Sequence, residues 1–137
     1  MTALTSTRLI WLAGAIHAGI VLANIPLPRR LGVCENLREA PLFLRQIFYV
    51  HWIYIVLIVS LFSSLCFGFA HDLAGATALG RFLSAFMAAF WLLRIVLQCF
   101  YYDREIRRAN RALDALYILS LAALVGIFGF VAIRPTM

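Results

Sequence analysis

Four long stretches of this chain run almost without charge: residues 9–25, 47–70, 82–102 and 115–133. Each approaches or exceeds the ~17–25 residues that a helix needs to cross a hydrocarbon core of ~30 Å. None alternates apolar and polar residues at period two, so the pattern predicts an all-α chain and not strands. The segments between the runs differ sharply. Residues 26–46 mix Arg29, Arg30, Arg38 and Arg45 with Glu35, Glu39 and scattered leucines, a composition that fits either a short helix lying in the interface, broken at Pro41, or a bare loop. Residues 71–80 are small and nearly uncharged, as a tight turn between antiparallel helices requires. Residues 103–114 are again rich in arginine. Together these features predict one transmembrane domain over residues 1–137, an antiparallel up-down four-helix bundle with consecutive helices adjacent.

Composition strengthens the membrane reading. The chain is 64% hydrophobic and 13% charged, with a mean hydropathy of +0.94, against about half and a quarter in soluble domains. All twelve basic residues are arginines. Eight of them fall in the two long connections on one side, while only Arg8, Arg81 and Arg134 fall on the other. The positive-inside rule then puts the long connections in the cytoplasm and both termini outside (N-out/C-out), in what reads as a bacterial cytoplasmic membrane. The first run lacks the basic n-region and cleavage site of a signal peptide and is expected to be a retained span. A nucleic-acid partner is not expected, because the aromatic residues lie inside apolar runs and not on a basic face.

Within the spans, small residues Ala15, Gly19 and Ala23 recur every four positions and predict a close-packing stripe on the first helix. Gly126 and Gly129 read as further packing glycines on the last. The polar residues gather toward the cytoplasmic half. Arg94 is the most costly of them, since an arginine near mid-membrane is disfavoured by at least ~2.5–3.5 kcal/mol on insertion scales. Met87, Trp91, Arg94, Gln98 and Tyr101 recur at helical spacing and are expected on one face. His17, Asn24, His51 and Tyr54 fall at different depths within the cytoplasmic half of the first two spans. These residues predict a polar cluster around Arg94 that either holds the helices in register, through tyrosine hydroxyls or Asp114, or binds an anionic or carbonyl group from outside the chain.

His17 and His51 open a second reading. Imidazoles on adjacent membrane helices can hold a b-type haem, though counting along the spans sets the two ~7 Å apart in depth. A quinone beside Arg94 belongs to the same redox reading. Catalysis finds less support: there is no HExxH, no acidic cluster for Mg²⁺ and no Ser-His-Asp set at a common depth. Cys34, Cys66 and Cys99 lack metal-site spacing. The leading expectation is a non-enzymatic accessory or scaffold subunit, in contact with lipids and with other membrane subunits or further copies of itself.

Overall fold

A computed structural model of the protein describes residues 3–30, 32–75, 77–101 and 111–133. The described residues form helices and short links, with no strand. Four helices are long and apolar enough to cross a membrane: α1 (Ala3–Asn24), α4 (Leu42–Gly68), α6 (Ala78–Phe100) and α7 (Arg111–Ile133). Three short ones, α2 (Leu27–Arg30), α3 (Val33–Asn36) and α5 (Ala70–Ala74), lie in the connections. Tyr102, most of the second arginine-rich connection and the Arg134-Pro135 stop fall outside the described residues.

Local chemistry sets the breaks. Pro26 and Pro28 end α1, because proline removes a backbone donor and restricts the residue before it. Between α2 and α3 the chain turns at Gly32, whose φ of 59° lies in the left-handed region that favours glycine. The expected interfacial helix is thus two single turns, one on each side of Gly32. Pro41 does break the connection, but as the N-cap of α4. That helix begins five residues before the expected boundary, because Arg45 and Gln46 extend a helix as readily as they end a hydropathy run.

The connection at 71–80 also differs from a simple turn. Phe69 interrupts the helix and α5 follows, with Ala70 and Leu73 buried and the segment packed against α1 and α6. Thr77 then caps α6, its hydroxyl accepting from the Gly80 N–H at 3.1 Å. A Cβ on Gly80 would sit 2.6 Å from the Asp72 carbonyl oxygen, so only glycine lets α6 start this close to α5.

Two helix pairs dominate the packing, α1 with α4 and α6 with α7, and a narrower contact joins α1 to α7. The consecutive helices α4 and α6 meet through rings, Phe62 against Phe86 and Phe90. The helical turn of α5 spaces the two apart, and bulky aromatic side chains fill the gap. The core comprises Ile10, Ala13 and Ile20 on α1, Val59, Phe62 and Cys66 on α4, Met87 and Trp91 on α6, and Leu121, Leu124 and Phe128 on α7.

The small-residue stripe is not where the helices meet. Ala15, Gly19 and Ala23 are exposed, and nothing lies within 4 Å of a Cβ placed on Gly19. Gly126 and Gly129 have the same open space. The close approach occurs instead at Gly14, where a Cβ would lie 2.9 Å from Cys66 Cβ and 3.2 Å from the Phe67 ring. Ser63 on α4 donates to the Gly14 carbonyl at 3.0 Å across that seam. The larger residues choose the face: burying Ile10, His17 and Ile20 fixes the rotation of α1 and turns the stripe outward.

Candidate functional site

His17 stands at the centre of the packed helices, fully buried. Its ring is enclosed by Phe62, Trp91 and Phe128 from three other helices, with centroids 5.7, 5.3 and 5.8 Å away. The Trp91 Nε1–H donates to His17 Nε2 at 3.0 Å, and His17 Nδ1 lies 2.7 Å from the Ala13 carbonyl. An indole nitrogen can only donate. Nε2 must therefore be the acceptor and Nδ1 the protonated nitrogen, so the imidazole is neutral with both nitrogens engaged.

One turn along α6 from Trp91, Arg94 turns toward α7. Its Nε donates to the Tyr117 hydroxyl at 3.2 Å, and its guanidinium carbon lies 5.8 Å from the centre of the Tyr117 ring. The next turn repeats the arrangement, with Gln98 Nε2 donating to Asp114 Oδ1 at 2.8 Å. As the residue number rises from 94 to 98 on α6, its partner falls from 117 to 114 on α7, so the pair is antiparallel and two polar rungs hold its register. Both rungs are half-buried.

The remaining expected members are dispersed. Asn24 turns back to the Ile20 carbonyl of its own helix at 2.8 Å. Tyr101, the C-cap of α6, is 82% exposed, because the helix ends where the stripe would continue. Tyr54 is 67% exposed on α4. His51 is exposed too, with Nδ1 2.8 Å from the Ile47 carbonyl one turn back.

His17 packs at the level of Phe62, and His51 lies eleven residues along α4 from there, roughly 16 Å at helical rise. That is more than twice the depth difference obtained by counting from expected span ends, because packing sets His17 beside Phe62, well along α4, and the ends of α1 and α4 are not level. A shared iron is out of reach at that separation. To serve as a ligand alone, His17 Nε2 would have to displace the Trp91 donor. Among the described residues, no group of three His, Cys, Asp or Glu side chains is placed to hold a metal ion.

Asp114 was expected as a partner within the cluster and pairs with Gln98, whereas Tyr117, the hydroxyl that meets Arg94, was not singled out by number. The signal available was their three-residue spacing, which puts both on one face of α7 opposite the Arg94 and Gln98 face. Phe62 and Phe128 as the walls around His17 carried no signal beyond being apolar.

The site thus belongs to an all-helical chain with four helices fit to cross a membrane, in which Trp91, Arg94 and Gln98 each bond a side chain on another helix. Comparison with protein-family models, curated proteins and solved structures finds no match for this chain.

Proposed function

We propose that this chain is a small multipass protein of a bacterial cytoplasmic membrane and works as a non-enzymatic accessory or scaffold subunit of a membrane complex. In this reading the four long helices form an up-down bundle, with the arginine-rich connections in the cytoplasm, both termini outside, and the polar pocket around Arg94 at the cytoplasmic end. The arginine asymmetry supports the orientation.

One observation carries the functional part. The groups best suited to hold a ligand, Arg94, Gln98 and His17, have partners supplied by the chain itself, Tyr117, Asp114 and Trp91. Their chemistry is directed to holding helices together, which leaves the outward helix faces as the surfaces through which the protein acts. Those faces include the exposed small residues of α1 and α7, a surface suited to another membrane helix.

Mild detergent extraction from native membranes, followed by native electrophoresis and a visible spectrum, tests the proposal. The chain should migrate in a complex well above its own mass, at fixed stoichiometry, and its purified form should be colourless. Migration as a free monomer would overturn the subunit reading. A Soret band with a dithionite-induced α band would replace it with the haem alternative, and a quinone recovered in stoichiometric amount would favour the redox reading around Arg94.

A further inference from the structure

The first half of α4 is covered on one side only. Residues 42–55 are all exposed except Arg45 and Trp52, which share the face that runs on to buried Val59 and Ser63 and meets α1. The connection before α4 lies on the adjoining side, where the Tyr49 hydroxyl donates to Cys34 Sγ at 3.4 Å. About a third of a turn from the α1 face, Leu44, Ile47, His51, Tyr54, Ile58 and Leu61 follow steps of three and four, the spacing of a coiled-coil seam. Ile58 is half-buried and the other five are exposed.

Two polar groups stand on that seam. The Ile47 carbonyl can only accept, so its 2.8 Å contact with His51 Nδ1 fixes the ring proton there and leaves Nε2 of the neutral imidazole as an outward acceptor. Three residues on, Tyr54 is 67% exposed, and among the described residues its hydroxyl has no hydrogen-bond partner. The two groups lie roughly 13 and 18 Å along α4 from its first residue, with Leu42, Phe43, Leu44 and Ile47 exposed before them. On an apolar helix in a bilayer, an acceptor and a donor so placed face hydrocarbon, where a polar group without a partner is costly.

We infer that two copies of this chain pair along this seam, α4 against α4, with each Tyr54 hydroxyl donating to Nε2 of the partner's His51. Copies inserted alike in one membrane are related by a twofold axis along its normal, so the two α4 helices run parallel and each seam residue lies level with its own counterpart. Side chains lean toward the helix N-terminus, which brings the Tyr54 hydroxyl toward the level of the partner's His51. A twofold interface needs a surface complementary to itself. One acceptor and one donor, a turn apart on a single seam, supply that complementarity twice over. The inference rests, like the subunit reading, on the long helices lying in a bilayer and gives that reading a first partner, yet the two fail separately. A homodimer without other subunits in native membranes would sink the subunit reading and keep this pairing; a larger complex that releases a monomer would do the reverse.

The test reconstitutes the purified full chain in phosphatidylcholine vesicles, half of it carrying a donor and half an acceptor fluorophore, and follows energy transfer as protein is diluted with lipid. Wild type should dissociate as a dimer. Tyr54→Phe and His51→Phe should each raise the dissociation constant about tenfold, since two interhelical bonds are lost per dimer, and the double variant should be no weaker than either, because both remove the same bonds. Far-UV circular dichroism should be unchanged in all three, as neither side chain bonds another helix of its own chain. A second arm needs neither residue altered. With Cys34 and Cys99 replaced by serine, Ile47→Cys should form a disulfide between copies under mild oxidation, whereas Ile53→Cys, more exposed but on another face of α4, should not. Energy transfer at the level of random proximity, variants that dimerise like wild type, equal cross-linking at 47 and 53, or a dimer lost in Gly19→Leu but kept in Tyr54→Phe would overturn the assignment.

Discussion

The two helix pairs are held together by different means. Along α1 and α4 the backbones come close at Gly14, and the Ser63 hydroxyl crosses the seam to a carbonyl. Along α6 and α7 the contact is made at the ends of long side chains, Arg94 to Tyr117 and Gln98 to Asp114. The first pair depends on shape and the second on polar register. The difference matters in lipid, where apolar side chains gain little by leaving the tails for one another and helices associate through close packing or hydrogen bonds. His17 and Trp91 bridge the pairs, one residue from each, at the point where the aromatic core is densest.

The largest effect should come from the shape-dependent seam. Gly14→Leu should abolish the cooperative detergent melt, while Gly14→Ala should cost about 1–3 kcal/mol by overpacking against Cys66 and Phe67. Gly19→Leu, in open space on the same helix, should stay within about 0.5 kcal/mol of wild type in the purified chain. A large loss at Gly19 would mean that the outward stripe is already in use between copies.

Next in size is the bridge. His17→Phe keeps a ring but strands the Trp91 N–H, and a buried donor left unmade costs about 1–3 kcal/mol. Indole fluorescence should shift in the same variant, because the hydrogen bond to Nε2 is gone. An unchanged melt and an unchanged emission maximum would show that the bridge contributes nothing.

The polar rungs should follow. Gln98→Leu removes the Gln98–Asp114 hydrogen bond across the seam and should cost about 1–2 kcal/mol in the melt. Ser63→Ala, at the other seam, should cost only about 0.6 kcal/mol, since the Gly14 carbonyl is on a helix backbone and the bond is a single interhelical one. If Ser63→Ala proved the more damaging of the two, the division between a shape seam and a polar seam would fail.

The sequence carries the number and nature of the long helices because hydropathy measures what a bilayer demands, and charge is scarce in all four runs. It carries Arg94 and Trp91 as inward residues for the same reason. The rotation of α1 was not legible: small residues mark both the face at Gly14 and the face at Gly19, and only the fit of Ile10, His17 and Ile20 against three other helices selects one. Span ends were misplaced at Pro41 because hydropathy falls at Arg45, whereas the helix does not. The separation of His51 from His17, and with it the haem geometry, is set instead by the register that packs His17 beside Phe62. Tyr117 and Asp114 lay within reach as an i, i+3 pair, but pairing them with Arg94 and Gln98 requires the register of α6 on α7, which no single helix encodes.

Arg94 joins α6 to α7 through Tyr117, a partner in its own chain. A double-mutant cycle on the purified protein tests this directly, with detergent melting of wild type, Arg94→Leu, Tyr117→Phe and the double variant. A clamp predicts that each single variant is destabilised and that the double is less so than the sum, by a coupling of about 0.6–1.7 kcal/mol, the range for interhelical hydrogen bonds in membranes. Strictly additive losses, or an Arg94→Leu variant as stable as wild type, would contradict it and leave Arg94 free for a ligand or for the membrane surface.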